Sequence, residues 1–242
     1  MNKILAFDLW GAYAHYKQVF ATTTALTYPI PVKTAVYGLI GAIVGLEKED
    51  NRYLRYFSPG SCKIGVQVMR PLTFQRININ LRAVFGAMKP NDNRKPTLME
   101  FVHKPRYRIF VSHSDEALLR DLEACLQRKQ AVFTPSMGLA NLIANYEWVG
   151  SFPYIELTDD EFIPIHSVIP RRRLIKLNPE KTFSGGNRIV EVSQYSLEMD
   201  EQRHVLDRDD IILDQKGAPI SARVTQYHQL IIDNKEHNVI LF

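Results

Sequence analysis

A glycine-bearing helix pattern in residues 27–46, TYPIPVKTAVYGLIGAIVGL, limits the possible folds more than any other part of the sequence. Two prolines predict an extended lead-in, and Thr34 is predicted as the N-cap of a helix that runs to about residue 46. Helical spacing indicates a buried stripe formed by Val36, Leu39, Ile40, Ile43 and Val44. Roughly the opposite face carries Gly38, Gly41 and Gly45. Since each helical glycine costs about 1 kcal/mol relative to alanine, this face predicts a close neighbour, which is a nucleic acid, a partner subunit or another segment of the chain.

The composition is compatible with many folds and functions. The 242 residues are 45% hydrophobic and 23% charged, which is ordinary for one large globular domain or two small ones. A net charge of +4 permits nucleic-acid binding without requiring it. Cys62 and Cys125 are too few for a disulfide framework or a zinc ribbon and fit a reducing compartment. No apolar run suits a signal peptide or reaches the roughly 18 residues of a membrane span, so we expect a cytoplasmic protein without a membrane partner.

The predicted elements follow a known order. They are a strand at 4–10, the glycine-bearing helix, strands at 63–69 and 76–82, a strand at 107–111, a helix capped by Ser114, and a strand region at 146–157. The order strand, helix, strand, strand, helix, strand is typical of a ferredoxin-like or RNA-recognition-motif domain of the α+β class.

The predicted domain spans residues 1–157 and contains a long excursion at about 73–104. The tip of this excursion, residues 86–97, is polar, basic and rich in turn-forming residues. Residues 158–242 are expected to add β structure that packs on the first domain, with the clearest strands at 188–197 and 238–242.

The sequence offers no strong catalytic constellation. It contains no P-loop, dinucleotide-binding fingerprint, nucleophile elbow or HExxH motif. The seven histidines are scattered without the spacing of metal ligands. We therefore expect no catalytic residues, no bound metal and no cofactor.

Basic side chains give the stronger signal, because they fall on three separate elements. They are Arg76 and Arg82 on one strand face, Lys89, Arg94 and Lys95 at the loop tip, and Arg171, Arg172, Arg173 and Lys176 after Pro170. Such groups suit contact with phosphates, although any one of them could equally be solvated surface. Stacking on splayed bases is a further possibility for His15, Tyr16, Lys17 and Tyr28. The aromatic pattern of a standard RNA-recognition sheet face is missing.

The opening segment FDLWGAYAHYK, followed by TYPIPVKTAVYGLIGAIVGL, resembles the N-terminal signature of the CRISPR-associated protein five family. The residues that carry the resemblance are Trp10, Gly11, Tyr28, Pro29, Pro31, Thr34, Gly38, Leu39 and Gly45. The excursion at 73–104 is similar to the thumb hairpin of that family, and residues 134–138, TPSMG, are similar to its glycine loop. The overall pattern resembles the type I-B branch.

This resemblance implies a ferredoxin-like RAMP domain with a thumb-like β-hairpin, and a function. The family supplies the non-catalytic Cascade subunit that holds the 5′ handle of CRISPR RNA, caps the filament of seventh-family backbone subunits, contacts the large subunit and reaches target DNA through the complex. Helix N-termini favour phosphates, which adds residues near the start of the glycine-bearing helix to the expected RNA-binding set. That set is His15, Tyr16, Lys17, Tyr28, Lys33, Thr34, Tyr37, Gly38, Gly41, Arg76, Arg82, Lys89, Arg94, Lys95, Met137, Gly138, Arg171 and Arg172.

Two alternatives stay open. In the type I-C branch, the family cuts precursor RNA without a metal, using a tyrosine, a lysine and a histidine. Here the adjacent pair is His103-Lys104, in reversed order, and the nearest tyrosine to the expected helix position is Tyr37. The second alternative is a ferredoxin-like interaction module with no role in RNA binding.

Overall fold

The structure is a computed structural model that describes residues 3–18, 20, 24–57, 60–82, 94–184 and 186–242. The first part of the chain forms β1 Lys3–Trp10, β2 Tyr13–Ala14, β3 Tyr16–Lys17, β4 Thr27–Tyr28, α1 Lys33–Val44, a 3₁₀ segment Glu49–Phe57, β5 Cys62–Val68, β6 Thr73–Arg82, β7 Arg94–His103, β8 Arg106–His113, α2 Glu116–Gln127 and β9 Asn145–Pro153.

The remainder is mostly strand, as expected. It forms β10 Ile155–Leu157, β11 Ile163–Ile165, β12 Ile169–Pro170, a 3₁₀ turn Arg171–Arg173, β13 Leu174–Leu177, α3 Pro179–Ser184, β14 Ile189–Met199, β15 Val205–Asp214, β16 Ile220–Val224, β17 Tyr227–Ile232 and β18 Lys235–Val239. The mixed helix-and-strand class predicted from the sequence is confirmed. Among the described residues, no helix is both long and apolar enough to cross a membrane.

A four-stranded antiparallel sheet forms the centre of the N-terminal part, in the order β5-β8-β1-β9. The alternation of β1 turns Leu5, Phe7 and Leu9 into a core that also holds Ile40 of α1 and Leu122 of α2. The two helices thus lie on one face of the sheet and provide the platform on which the loops are held.

The other sheet face is partly covered by the C-terminal strands. Ile4, Ala6 and Phe110 share a buried cluster with Leu230 of β17 and Val239 of β18. Farther along β1 on the same face, the buried carboxylate of Asp8 binds two arginines. The contacts are 2.7 Å from Arg108 Nε to Asp8 Oδ1 and 2.8 Å from Arg106 Nη2 to Asp8 Oδ2.

The long excursion consists of β6 and β7, which pair antiparallel from Thr73 opposite His103 to Arg82 opposite Arg94. Arg76 faces Glu100 across the pair, with 3.1 Å between Nε and Oε2. Phe74, Arg76 and Asn78 are exposed on one face, whereas Ile77 is partly buried on the other. Residues 76–80 thus alternate between exposed side chains, on the face of Arg76, and partly buried ones.

Both predicted helix caps are wrong by one or two residues. Helix α1 begins at Lys33 after an N-cap at Val32, whose carbonyl accepts from Ala35 and Val36, and no side chain caps it. The cap lies earlier because Val32 continues the extended lead-in set by the prolines, and the helix follows at once. In α2 the N-cap is Asp115 rather than Ser114, because the Asp115 carboxylate accepts from two backbone N–H groups of the first turn.

The last residue of the glycine pattern is a cap and not part of a helix face. Helix α1 ends at Val44, and Gly45 has φ +85° with its N–H donating to the Gly41 carbonyl at 2.9 Å. A left-handed residue that closes a helix is usually glycine. Gly45 therefore needs no visiting molecule to explain it, and the glycine face reduces to Gly38 and Gly41.

Three buried histidines are expected to make the folded protein less stable in mild acid. Burial lowers the pKa of His15, His166 and His228 below the ordinary value of 6.5. The unfolded chain therefore takes up these protons first, so the contribution of the three histidines to the free energy of unfolding should fall as the pH drops below about 6.5 and stay constant above it. Urea midpoints at pH 7.5 and 5.5 measure the effect. A variant with glutamine at all three positions should lose most of the difference, and a wild-type midpoint that does not fall would contradict the assignment.

Candidate nucleic-acid interface

The glycine face of α1 forms one wall of a groove of about 440 Å³, which we call the glycine groove. Its other walls are the 3₁₀ segment after α1 and the segment 133–138. The lining residues are Thr34, Ala35, Gly38, Leu39, Gly41, Ala42, Leu46, Lys48, Tyr53, Phe133, Thr134, Ser136 and Gly138. Two motifs that lie a hundred residues apart in the sequence therefore meet at one concave surface.

Packing within the chain does not require the two helix glycines. A Cβ atom at Gly38 would meet only the Tyr53 hydroxyl, at 3.9 Å, and one at Gly41 would make ordinary contacts of 3.6–3.8 Å with Leu46 and Tyr53. Alanine would fit at both positions and would favour the helix. The bare backbone is thus a property of the groove surface rather than a need of the core.

Gly138, in contrast, is required by the backbone. Its φ is +96°, and a Cβ there would lie 2.0 Å from the His15 carbonyl oxygen. The neighbouring Met137 is fully buried, and its carbonyl accepts the His15 N–H at 3.0 Å. This turn fixes the wall of the glycine groove against the strand that follows β1.

The segment before that turn is anchored to the end of α1. Val132 N–H donates to the Ile43 carbonyl at 3.1 Å and Phe133 N–H to the Ala42 carbonyl at 2.9 Å. These bonds use helix carbonyls that have no partner within the helix. They leave the Phe133 ring 49% exposed at the groove.

The groove surface suits part of a nucleotide. Thr34, Thr134 and Ser136 bring hydroxyl groups, Lys48 brings one cation, and Phe133 brings an accessible ring. Hydroxyl and ammonium groups can bind phosphate or ribose oxygens, and a ring can stack on a base. Among the described residues, the His, Cys, Asp and Glu side chains form no group of three that could hold a metal ion.

Lys33 and Tyr37 belong to a buried network and do not line the glycine groove. Lys33 Nζ lies 2.6 Å from Glu198 Oε1, and the Tyr37 hydroxyl lies 3.3 Å from Glu198 Oε2. The Tyr37 ring stacks on Phe57 at 4.6 Å, and burial raises the pKa of its hydroxyl well above the usual value. The sequence predicted that these two side chains bind phosphate. The structure contradicts this, because both side chains are buried and bonded to Glu198.

The expectation that His15, Tyr16 and Tyr28 stack on bases is corrected for the same reason. Their exposed fractions are 2%, 4% and 1%. His15 Nδ1 lies 2.7 Å from the Glu100 carbonyl oxygen, and the Tyr28 hydroxyl donates to the Gln194 carbonyl at 2.6 Å. Lys17 is exposed on β3 and stays a prediction.

The arginines after Pro170 form a 3₁₀ turn and differ in how strongly they are bonded to carboxylates of the same chain. Arg172 donates to Asp207 at 2.8 Å and to Asp209 at 2.9 Å, which leaves little of its guanidinium for a phosphate. Arg171 is exposed, with 3.8 Å between its Nε and Glu191 Oε1. We therefore assign Arg172 to an ion pair within the chain and no longer to RNA binding. RNA binding by Arg171 stays a prediction.

On the hairpin, Arg76 is exposed beside Glu100 and stays a prediction. Lys89 and the side chains of Arg82, Arg94 and Lys95 lie outside what the structure describes. The structure thus brings Thr34, Gly38, Gly41 and Gly138 together at the glycine groove. None of the other predicted residues that the structure describes lines this groove.

The lining residues that the sequence analysis missed as site residues include Lys48, Tyr53 and Phe133. Lys48 and Tyr53 adjoin a kink where Asp50 and Asn51 have positive φ values of 53° and 55°. Asp and Asn tolerate that conformation better than most residues, so this dipeptide was a usable signal for a turn over the helix. Phe133 gave no such signal, because exposure of an aromatic ring cannot be inferred from its neighbours in the sequence.

A second group of polar rings lies at the base of the hairpin. The Tyr13 and His103 rings have centroids 5.3 Å apart, and Lys104 follows directly with φ +46°. The Tyr13 hydroxyl donates to Gln75 Oε1 at 2.9 Å. Tyr37, which contacts Phe57 and Glu198, is not part of this group.

Comparison with known proteins gives a family match over most of the chain. A family model described as CRISPR-associated protein (Cas_Cas5) matches residues 4–199. The fold is similar to a chain of a CRISPR RNA-guided surveillance complex, with 14% identity, coverage of 90% of this chain and 91% of that chain, and a TM-score of 0.51. It is also similar to a CRISPR protein from Archaeoglobus fulgidus, with 11% identity, 98% coverage of both chains and a TM-score of 0.51. No curated protein matches the chain.

Proposed function

Because this chain belongs to the Cas5 family of CRISPR-associated proteins, we propose that it is a non-catalytic RNA-binding subunit of a type I Cascade surveillance complex. In this proposal it holds the 5′ handle of CRISPR RNA in the cytoplasm, caps the filament of backbone subunits and contacts the large subunit. We place it in the type I-B branch.

The observation that carries the proposal is the glycine groove. It unites the bare backbone at Gly38 and Gly41 with hydroxyl groups, one lysine and an exposed ring. A ligand can approach such a helix face more closely than one lined with side chains. The handle RNA is the occupant that fits both this surface and the family.

We further assign the N-terminal part to the ferredoxin-like class, with β6 and β7 as its thumb. The sheet order β5-β8-β1-β9 and the position of the hairpin between β5 and β8 support this assignment. Since Leu230 and Val239 help to bury part of the sheet face, RNA is expected at the glycine groove and at the exposed hairpin face of Arg76.

The binding test uses RNA that ends in a repeat-derived 5′ handle. The isolated protein should bind it more tightly than a scrambled handle, and Gly38→Ala should weaken binding by about tenfold, or about 1.4 kcal/mol. The same variant should raise the free energy of unfolding by up to about 1 kcal/mol, because alanine favours the helix. Fluorescence anisotropy and urea unfolding measure the two effects on one sample.

A matched control is Gln127→Ala, which changes a neutral, exposed residue of α2 away from the groove. It should leave RNA affinity unchanged. Equal affinity for true and scrambled handles would overturn the proposed function. If Gly38→Ala bound the RNA as tightly as wild type and still preferred the true handle, the RNA would bind outside the glycine groove.

A metal-independent endoribonuclease is the second candidate, because Tyr13, His103 and Lys104 lie together at the hairpin base. A histidine and a tyrosine in contact can serve as an acid–base pair. We expect no discrete cleavage of repeat RNA in EDTA, since the Tyr13 hydroxyl is bonded to Gln75 and the set departs from that of the cutting branch. Specific products that disappear in His103→Ala would establish the enzyme.

A further inference from the structure

A second groove, of about 400 Å³, lies between the root of the hairpin and β14, and we call it the β14 groove. The lining residues are Gln18, Phe20, Thr27, Pro29, Phe74, Glu100, Val190, Glu191, Val192, Ser193 and Gln215. Among the described residues, the two grooves share no lining residue.

One wall is an open sheet edge. Strand β14 is the last strand in the order β12-β15-β14, and Gln215 N–H donates to the Arg188 carbonyl just before it. In an antiparallel pair, hydrogen-bonded and non-hydrogen-bonded positions alternate, so Ile189 and Glu191 turn their N–H and C=O groups away from β15. Within the described residues, no other backbone segment hydrogen-bonds to these two.

The open stretch is short and has a defined end. The ladder with β15 shifts register between Val192 and Tyr195, and Gln194 has φ +60°. The Tyr28 hydroxyl binds the Gln194 carbonyl at this point. Bulges of this kind normally end pairing at an exposed edge, so residues 189–193 form the only part of β14 that we consider available to a partner strand.

Two exposed rings flank this edge. Phe20 is 53% exposed and Phe74 is 41% exposed, and both line the β14 groove. Phe74 is on the hairpin face that carries Arg76. Two large apolar side chains at one concave surface beside unpaired backbone groups favour a polypeptide with alternating apolar side chains.

The charge of the groove also favours a polypeptide over RNA. None of the described residues that line it is basic, and two of them, Glu100 and Glu191, are acidic. Binding of an RNA backbone depends on cations that neutralise its phosphates. A partner strand with one lysine or arginine opposite Glu191 complements this surface, whereas a phosphate chain does not.

We propose that an extended segment of an adjoining protein subunit adds as a strand to the edge of β14 at residues 189–193. Its backbone pairs with Ile189 and Glu191, its apolar side chains contact Phe20 and Phe74, and a basic side chain faces Glu191. The identity of the partner as a subunit of the same complex rests on the proposed function.

The test compares Glu191→Pro with Glu191→Ala in the assembled complex, purified through a tag on a backbone subunit. Proline removes the N–H that points to the partner and is tolerated at a sheet edge, whereas alanine removes only the carboxylate and its weak contact with Arg171. Glu191→Pro should reduce the recovery of this chain about tenfold, while Glu191→Ala has the smaller effect of one lost charge contact.

A second variant keeps the test decisive should Glu191→Pro fold poorly. Phe20→Ala combined with Phe74→Ala leaves the β14 backbone untouched and should reduce recovery to a similar degree. Its control is Phe162→Ala, which removes a ring that is 37% exposed outside the groove. A photocrosslinking residue at Ser193, which is exposed at the groove, should label a protein subunit in the complex, and the label should survive ribonuclease treatment.

Labelling of RNA, labelling within this chain alone, or full recovery of the double phenylalanine variant would overturn the inference. These outcomes differ from failure of the proposed function, which is measured with the isolated chain and handle RNA. Glu191→Pro and Glu191→Ala should bind that RNA as wild type does, because Glu191 lies on neither the glycine groove nor the hairpin face of Arg76.

Discussion

Replacing Gly138 with alanine should lower the free energy of unfolding by at least about 4 kcal/mol, a loss that few single substitutions reach. Two costs combine at this position. The left-handed backbone, with φ +96°, disfavours any side chain, and the new Cβ would lie 2.0 Å from the carbonyl oxygen of His15. That oxygen belongs to a backbone whose N–H is itself bonded to Met137, so relief of the clash requires the turn or the strand to move.

Gly60→Ala is the matched control. Gly60 also has a positive φ, +85°, but a Cβ there would meet none of the described residues within 4 Å. It should therefore show the conformational cost alone, about 1–2 kcal/mol. Urea unfolding followed by circular dichroism gives both values, and insolubility of the Gly138 variant alone would agree with the larger loss. Equal losses in the two variants would mean that the turn adapts and that contact with His15 does not constrain it.

Local patterns predicted the elements that carry a repeating signal. The apolar stripe of α1 and the strands β1, β5 and β8 follow from spacing along the chain, whereas the short strands β2, β3 and β4 were not predicted. The helix N-caps were harder to predict, because the choice between Ser114 and Asp115 depends on which side chain reaches the first-turn N–H groups. Ser114 and Asp115 are adjacent in the sequence, and both residue types are common N-caps.

Contacts between residues far apart in the sequence limited how much of the candidate site could be predicted. Lys33 lies at a helix start, where a phosphate was expected, but its actual partner, Glu198, is 165 residues away. Arg172 similarly binds Asp207 and Asp209 from a different strand. The glycine groove was predictable only in its parts: Gly38, Gly41 and Gly138 carried a signal, but their meeting depends on bonds from Val132 and Phe133 to α1 that no spacing encodes.

The buried pair formed by Lys33 and Glu198 should be expensive to break from one side. Nζ and Oε1 are 2.6 Å apart, and the two side chains are only 5% and 11% exposed. Glu198→Gln removes the anion and leaves the Lys33 ammonium in a site with little water, so the free energy of unfolding should fall by about 3–5 kcal/mol. Urea unfolding at pH 7.5 measures the loss.

A double replacement separates the charge from the packing. Lys33→Met with Glu198→Leu removes both charges and fills the site with apolar groups, although the Tyr37 hydroxyl then loses its partner at 3.3 Å. Since burying two ions costs nearly as much as their attraction returns, the double variant should be clearly more stable than Glu198→Gln alone. Recovery of this kind would show that the isolated charge, and not a change of shape, destabilises the single variant.

Asp160→Asn provides the exposed counterpart. Asp160 Oδ1 lies 3.0 Å from Arg223 Nη2, close to the distance in the buried pair, but the Asp160 side chain is 98% exposed. Water and salt screen such a pair, so this variant should show little or no loss. If Glu198→Gln were as mild as Asp160→Asn, water would have access to Lys33, and its side chain would again be a candidate to bind phosphate at the start of α1.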